Sequence, residues 1–147
     1  GTSYTCALKA DGTVVCWGAN FQGQLGDGTN TDANAPVAVS GLTGVVALAA
    51  GSDHACALKA DGSAACWGDN LAGQLGDTTI VDKNTPVAVV GLSGAVAVNA
   101  GTNYTCALKS DGSASCWGSN SSGRLGDGTT TDASSPVAVS GGAVYWK

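Results

Sequence analysis

The sequence has no methionine, one histidine and one phenylalanine, and only 12% of its residues are charged. Six Lys and Arg stand against eleven acids, giving a net charge of −5 and a pI of about 4.3. A protein that grips nucleic acid by its phosphates needs a basic face, and this balance excludes one. No apolar run nears the roughly 20 residues of a membrane helix, so no membrane insertion is expected. Low charge would signal disorder only beside low hydrophobicity, and here 44% of residues are hydrophobic. Helical periodicity is missing throughout. One histidine and no close C-x-x-C pair speak against a zinc site. A phosphate cradle would need a helix start and a lysine, and neither accompanies the glycines. The chain opens on Gly1 with no signal-peptide pattern, which points to a processed form, an expressed piece or a window on a longer chain.

What the sequence does hold is glycine, about one residue in six, and repetition. Cys6, Cys56 and Cys106 lie 50 residues apart, as do Cys16, Cys66 and Cys116, Trp17, Trp67 and Trp117, and Pro36, Pro86 and Pro136. The first two units agree at about 30 of 50 positions without a gap. Short apolar runs between Gly-rich turns read as strands. In the first unit they fall at residues 4–9, 13–18, 36–40 and 45–49, separated by a turn at Ala10-Asp11-Gly12, a long loop over residues 20–35, and a turn at residues 41–44. The third strand is opened by a proline, a position a strand tolerates. Four antiparallel strands per unit of about 50 residues predict an all-β chain of propeller blades. Three repeats form part of a ring: residues 1–50, 51–100 and 101–147, the last with a divergent C-terminal strand.

The hairpin register bears on the cysteines. A three-residue turn at Ala10-Asp11-Gly12 pairs Lys9 with Thr13, Gly12 taking the left-handed position. Leu8 then faces Val14, and Cys6 faces Cys16. Directly opposed residues hold their Cβ atoms about 4.5–5.5 Å apart, close to disulfide reach. The same count pairs Cys56 with Cys66 and Cys106 with Cys116. Three equal placements favour three disulfides, which imply an oxidising compartment; the other reading is six small buried apolar side chains.

The motifs Gly-x-x-(His/Tyr)-x-Cys-Ala-Leu-Lys-x-Asp-Gly, Cys-Trp-Gly-x-Asn, Gly-(Gln/Arg)-Leu-Gly-Asp and Pro-Val-Ala-Val together resemble the regulator-of-chromosome-condensation repeat, over all but the last few residues. The resemblance implies a propeller, usually of seven blades, so three units fall short of a ring. It is specific for fold and weakly so for function, because one fold hosts many activities. Many members lack these cysteines, so the secreted or cell-surface reading rests on this sequence alone.

Other residues are read structurally. His54 is matched by Tyr4 and Tyr104, so its position wants an aromatic ring that hydrogen-bonds, and no nucleophile motif accompanies it. The tryptophans suit blade packing better than the light sensing of a plant UV-B receptor in the family, whose Gly-Trp-Arg-His-Thr motif is absent. Asp27, Asp32 and Asn34, repeated at Asp77–Asp82 and Asp127–Asp132, cap turns more readily than they hold calcium. No metal or cofactor is expected. If two residues are missing before the tail, Ala143–Lys147 stands where Val45–Ala49 stands in the first unit, and could supply the strand that precedes Gly1 in register.

Variation inside a constant repeat marks where contacts are made. It concentrates at Phe21-Gln22, Leu71-Ala72 and Ser121-Ser122, and at Asn30-Thr31, Ile80-Val81 and Thr130-Thr131. These observations favour an extracellular binding or self-assembly module without catalysis, meeting a protein partner or copies of itself within a larger propeller or oligomer. The resemblance offers two further classes. One is inhibition of a secreted enzyme, as by the family's β-lactamase inhibitor; only Phe21 supplies an aromatic loop residue for it. The other is nucleotide exchange on a small GTPase, which cysteines and charge oppose. Non-reducing peptide mapping is expected to return the links Cys6–Cys16, Cys56–Cys66 and Cys106–Cys116; free thiols or links between repeats contradict the pairing.

Overall fold

A computed structural model describes residues 1–141. It contains three antiparallel sheets, which stand side by side as the blades of a propeller arc. In the first, β1 (Tyr4–Leu8) and β2 (Val14–Gly18) form the hairpin. Gly12 turns it with φ at 81°, its N–H donating to the Lys9 carbonyl at 3.0 Å. Asp11 Oδ1 accepts from the Thr13 N–H at 3.0 Å. Lys9 and Thr13 form a hydrogen-bonded pair, with the Lys9 N–H on the Thr13 carbonyl at 2.8 Å. Counting inward, the Cys6–Cys16 pair falls on a non-hydrogen-bonded site, where facing side chains come closest. Its Cα atoms are 4.1 Å apart and its sulfurs are bonded. The Cys56–Cys66 and Cys106–Cys116 pairs are bonded in the same register.

The third strand, β3 (Ala33–Ala38), begins three residues earlier than the proline suggests. Pro36 lies within it, at the irregularity between Val37 opposite Cys16 and Ala33 opposite Gly18. This is the outer edge of the sheet, where a missing N–H breaks no ladder. The sheets also run out of phase with the sequence unit. β4 (Val45–Ala50) lies in the first 50 residues yet pairs with β5 (His54–Lys59), which continues through β6 (Ala64–Gly68) to β7 (Lys83–Ala88). The third sheet repeats this with β8 (Ala95–Ala100), β9 (Tyr104–Lys109), β10 (Ala114–Gly118) and β11 (Ala133–Ala138). The first sheet has three strands, so among the described residues β1 has nothing paired on its inner edge. The expectation that Ala143–Lys147 takes such a place lies outside the described residues.

The apolar core sits between blades. Ala55, Ala57, Ala65 and Trp67 of the second blade pack on Tyr4, Val14, Cys16, Leu25 and Val39 of the first. Ala107 and Trp117 of the third pack on Cys56, Leu58, Cys66, Leu75 and Val89 of the second. Alanine fills little of these faces, so the disulfides are part of the apolar surface, and each indole carries much of the buried area. Trp67 and Trp117 are wholly buried, and Trp67→Ala would cost about 3–5 kcal/mol.

The Tyr4, His54 and Tyr104 position stitches blades together. The Tyr4 hydroxyl donates to the carbonyls of Gly51 and His54 in the next blade. His54 is itself fully buried, with Nε2 2.9 Å from Thr105 Oγ1. That hydroxyl donates onward to the Gln74 carbonyl at 2.9 Å, which assigns the imidazole proton to Nε2. Nδ1 has no hydrogen-bond partner. Burial pulls the imidazole pKa from 6.5 down to about 4, against an upward pull from Asp69. Below pH 6.5 the unfolded chain therefore takes up a proton that the folded chain refuses. Stability is expected to fall between pH 6.5 and pH 4 by about 3 kcal/mol. Urea melts should show that loss flattened in His54→Tyr, the residue of the other two repeats; an unchanged slope contradicts the assignment.

Candidate functional site

The long loop of each blade, residues 19–32 in the first, is built around one buried asparagine. Asn20 Nδ2 donates to the carbonyls of Thr29 and Thr31, both at 3.0 Å, and to Asp27 Oδ1 at 3.3 Å. Its Oδ1 accepts the Leu25 N–H at 2.9 Å, and its own N–H donates to Asp32 Oδ1 at 2.8 Å. Asn70 and Asn120 repeat the arrangement. In the first blade one side chain thus holds 14 residues in a hoop without regular secondary structure. The signal was the recurrent Cys-Trp-Gly-x-Asn; the long reach from Asn20 to Thr31 was not readable from it.

The loop carboxylates are committed to this work. Asp27 Oδ1 also accepts the Thr29 N–H and hydroxyl. At Asp77, burial raises the carboxyl pKa, but hydrogen bonds from Thr79 and Asn70 and the nearby Lys83 outweigh it and hold it below the usual range. Hydrogen bonds from Thr129 and Asn120 lower Asp127 likewise. Among the described residues no three His, Cys, Asp or Glu side chains gather as metal ligands.

With its polar groups turned inward, each hoop presents its tip. Phe21, Leu71, Ile80 and Val81 are 81%, 69%, 61% and 60% exposed. Asn30 is exposed and ties the first tip together, Nδ2 donating to the Phe21 carbonyl at 2.9 Å. Its Oδ1 accepts from Asn84 Nδ2 of the second blade at 2.9 Å. Gln22 is half-buried, its N–H bonded to Gln24 Oε1. Leu71 and Ile80 come together over the third blade, lining a depression of about 280 Å³ with Ala72, Asp132 and Ser134. Ser121 and Thr130 are the exposed polar counterparts, Ser121 opening a single 3-10 turn over Ser121–Gly123. The structure thus brings Phe21 to Asn30 and Leu71 to Ile80, and buries His54 fully, away from solvent. Four exposed apolar residues escaped the sequence reading: Leu8, Val90, and Val46 and Val96 at the bulges of β4 and β8.

Asn70→Ala would leave the Leu75 N–H and the Thr79 and Val81 carbonyls unpaired. A loss of about 3 kcal/mol or more is expected in urea unfolding. A loss under about 1 kcal/mol would show that the hoop holds without its asparagine.

The family model described as regulator of chromosome condensation (RCC1) repeat matches residues 11–58 and 61–108, and a second model of the same description matches 45–74 and 95–124. The chain is 39% identical over 54 residues to the E3 ubiquitin-protein ligase HERC2 of Homo sapiens, covering 35% of this chain and 1% of that protein. Prp20p of Saccharomyces cerevisiae superposes with a TM-score of 0.86 at 23% identity, over 97% of this chain and 37% of Prp20p. Human WBSCR16 superposes with a TM-score of 0.83 at 24% identity, over 94% of this chain and 36% of WBSCR16. The chain therefore spans about a third of those solved chains and a hundredth of the curated relative. Their likeness is one of fold, and the repeat itself places the lineage: this chain belongs to the regulator of chromosome condensation (RCC1) repeat family.

Proposed function

We propose that this chain is a non-catalytic, extracellular protein-binding module that docks a protein partner through the hoop tips carrying Phe21, Leu71, Ile80 and Val81, and whose other partner is a copy of itself. One observation carries the docking reading. The large side chains most open to water stand at positions that differ between units built on one repeated motif. Large exposed apolar residues on a rigid polar frame mark interaction sites, and the energy of such contacts concentrates in a few residues. The hoop is rigid by its asparagine, so binding would order little chain.

Prp20p has binding properties toward Gsp1p and histones, and Kap60 has been seen bound to yeast RCC1. At 23% and 22% identity those partners do not transfer; what supports the present reading is that protein surfaces are what such folds meet. The extracellular reading is supported by the three disulfides, which reducing cytosol would not maintain. Absence of catalysis is supported by the burial of His54 and by the commitment of the loop carboxylates to turn caps.

The test is a partner recovered from the extracellular fraction of the source organism and measured against purified variants. Phe21→Ser combined with Leu71→Ser and Ile80→Ser is expected to weaken its binding at least about 30-fold with an unchanged melting temperature. Equal affinity for the triple variant would sink the loop-face reading.

A further inference from the structure

Charge is divided unevenly between the two ends of the blades. The hairpin turns lie at one end with the turns that precede β4 and β8, the Val45 N–H donating to the Gly12 carbonyl at 3.1 Å. The hoops lie at the other end, where the Asp69 N–H donates to the Asp53 carbonyl at 2.9 Å. At the turn end each acid has its own lysine. Lys9 stands 4.0 Å from Asp11. Hydrogen bonds from Ser63 and Ser113, with help from Lys59 and Lys109, hold Asp61 and Asp111 below the ordinary carboxylate value. Seven of the eleven acids fall instead in the hoops, and Asp53 lies beside the second. Among the described residues two bases stand at that end, and both are engaged. Lys83 Nζ is 3.9 Å from Asp77 Oδ2. Arg124 donates to the Ser121 carbonyl at 3.0 Å and lies over the Tyr104 ring. The negative charge of the protein is therefore a property of its hoop end.

At the second hoop this charge meets the apolar depression of about 280 Å³. Two four-stranded blades form it, with Leu71, Ala72 and Ile80 on the second and Asp132 and Ser134 on the third. At the matching seam of the first hoop, Asn30 and Asn84 are bonded across the gap at 2.9 Å. Ile80 and Ser134 hold those two places in the next unit, and an isoleucine cannot make that bond. Asp69 is peculiar to the second hoop, since Ala19 and Ser119 stand at its place in the others. It is buried, its Oδ1 accepting the Leu71 N–H at 3.2 Å and its Oδ2 the Gln74 side-chain amide at 2.9 Å. Asp82 lies beside it. Burial raises the Asp82 carboxyl above its ordinary value, and Asp69 adds to the rise against the Asn70 N–H bond. Two carboxylates thus crowd at the root of an apolar tip, while the adjacent Lys83 is turned to Asp77.

From this we propose that the seam between the second and third hoops binds a basic, aliphatic segment of a partner protein, one aliphatic side chain entering the Leu71–Ile80 depression and Lys or Arg side chains meeting Asp82 and Asp132. This rests on the docking half of the proposed function and adds the chemistry of the partner. Charge complementarity selects the occupant. A neutral or acidic segment would gain the apolar contact but bring no countercharge to carboxylates that the chain leaves without a base. A cation also relieves the repulsion between Asp69 and Asp82, a gain the depression alone does not supply. Long basic side chains lay their stems along apolar surface while their heads reach outward, so both contacts fit one short segment.

Random dodecapeptides displayed on phage are selected on the 147-residue chain, disulfides intact, and the enriched peptides are synthesised and titrated calorimetrically. They are expected to carry Lys or Arg close to Leu, Ile or Val, and to bind less tightly as salt rises. Asp82→Asn with Asp132→Asn keeps the oxygens that accept the Asn70 and Asn120 N–H groups, and circular dichroism melts verify folding. This double variant is expected to bind the peptides at least about tenfold more weakly, while Asp61→Asn at the turn end binds like wild type. Asp69→Ser, which introduces the residue of the third repeat, is the second variant and is expected to weaken binding in the same direction. Enriched peptides that are neutral or acidic, affinity indifferent to salt, or equal affinity for the aspartate variants overturns the basic occupant. If such peptides still lose affinity for the Phe21, Leu71 and Ile80 triple-serine variant, the loop-face reading stands without it. Selection that enriches no peptide, or peptides bound equally by the triple-serine variant, overturns both.

Discussion

The contact between an indole and the glycine of the preceding blade is what the rest of this structure leans on. A four-stranded sheet of alanine, serine and valine, one layer thick, has no interior of its own. Its faces become a core only when another sheet covers them. Trp67 and Trp117 supply the bulk that alanine does not, and Gly26 and Gly76 allow the close approach. Any side chain there would meet the ring, and φ near 70° at both glycines adds a backbone reason for the same choice. The disulfides fit this economy. They tie each hairpin while presenting sulfur, an apolar surface, to the neighbouring blade.

The hoops connect that packing to function. The asparagine that closes each loop also accepts the N–H of Leu25, Leu75 or Leu125, the residue just before the glycine seat. Polar satisfaction inside the hoop, the position of the seat and the outward aim of the tip are therefore one construction problem with one solution, used three times. Because polar groups are spent on holding the hoop, its tip is free to vary, and it carries Phe21, Leu71 with Ile80 and Val81, or serine and threonine. A frame of this kind gives rigid, interchangeable contact residues, with Asp27, Asp77 and Asp127 held by hydrogen bonds from Thr29, Thr79 and Thr129.

Much of this was legible in the sequence because the repeat prints each rule three times. Spacing alone gave the hairpins, and the register of a three-residue turn set Cys6 opposite Cys16. Pro36 misled, since a proline reads as a strand start, whereas an outer edge with a bulge accepts it inside. The phase of the blades was harder. Val45–Ala50 is contiguous with the first unit, and only the pairing of β4 with β5 shows that it belongs to the second blade. Asn20 was visible as a conserved letter of the motif within the chain, but its bonds span up to 11 residues of loop, beyond any local pattern.

The central claim, that blades are stable through their neighbours and not through themselves, is tested most directly by excising the middle one. A peptide of residues 45–88 has all four strands and its own disulfide, and lacks only the flanking faces. Far-ultraviolet circular dichroism during heating should show a disordered chain with no cooperative transition, while the full 147-residue chain melts cooperatively. A sharp, reversible melt of the isolated blade as a monomer would contradict the account.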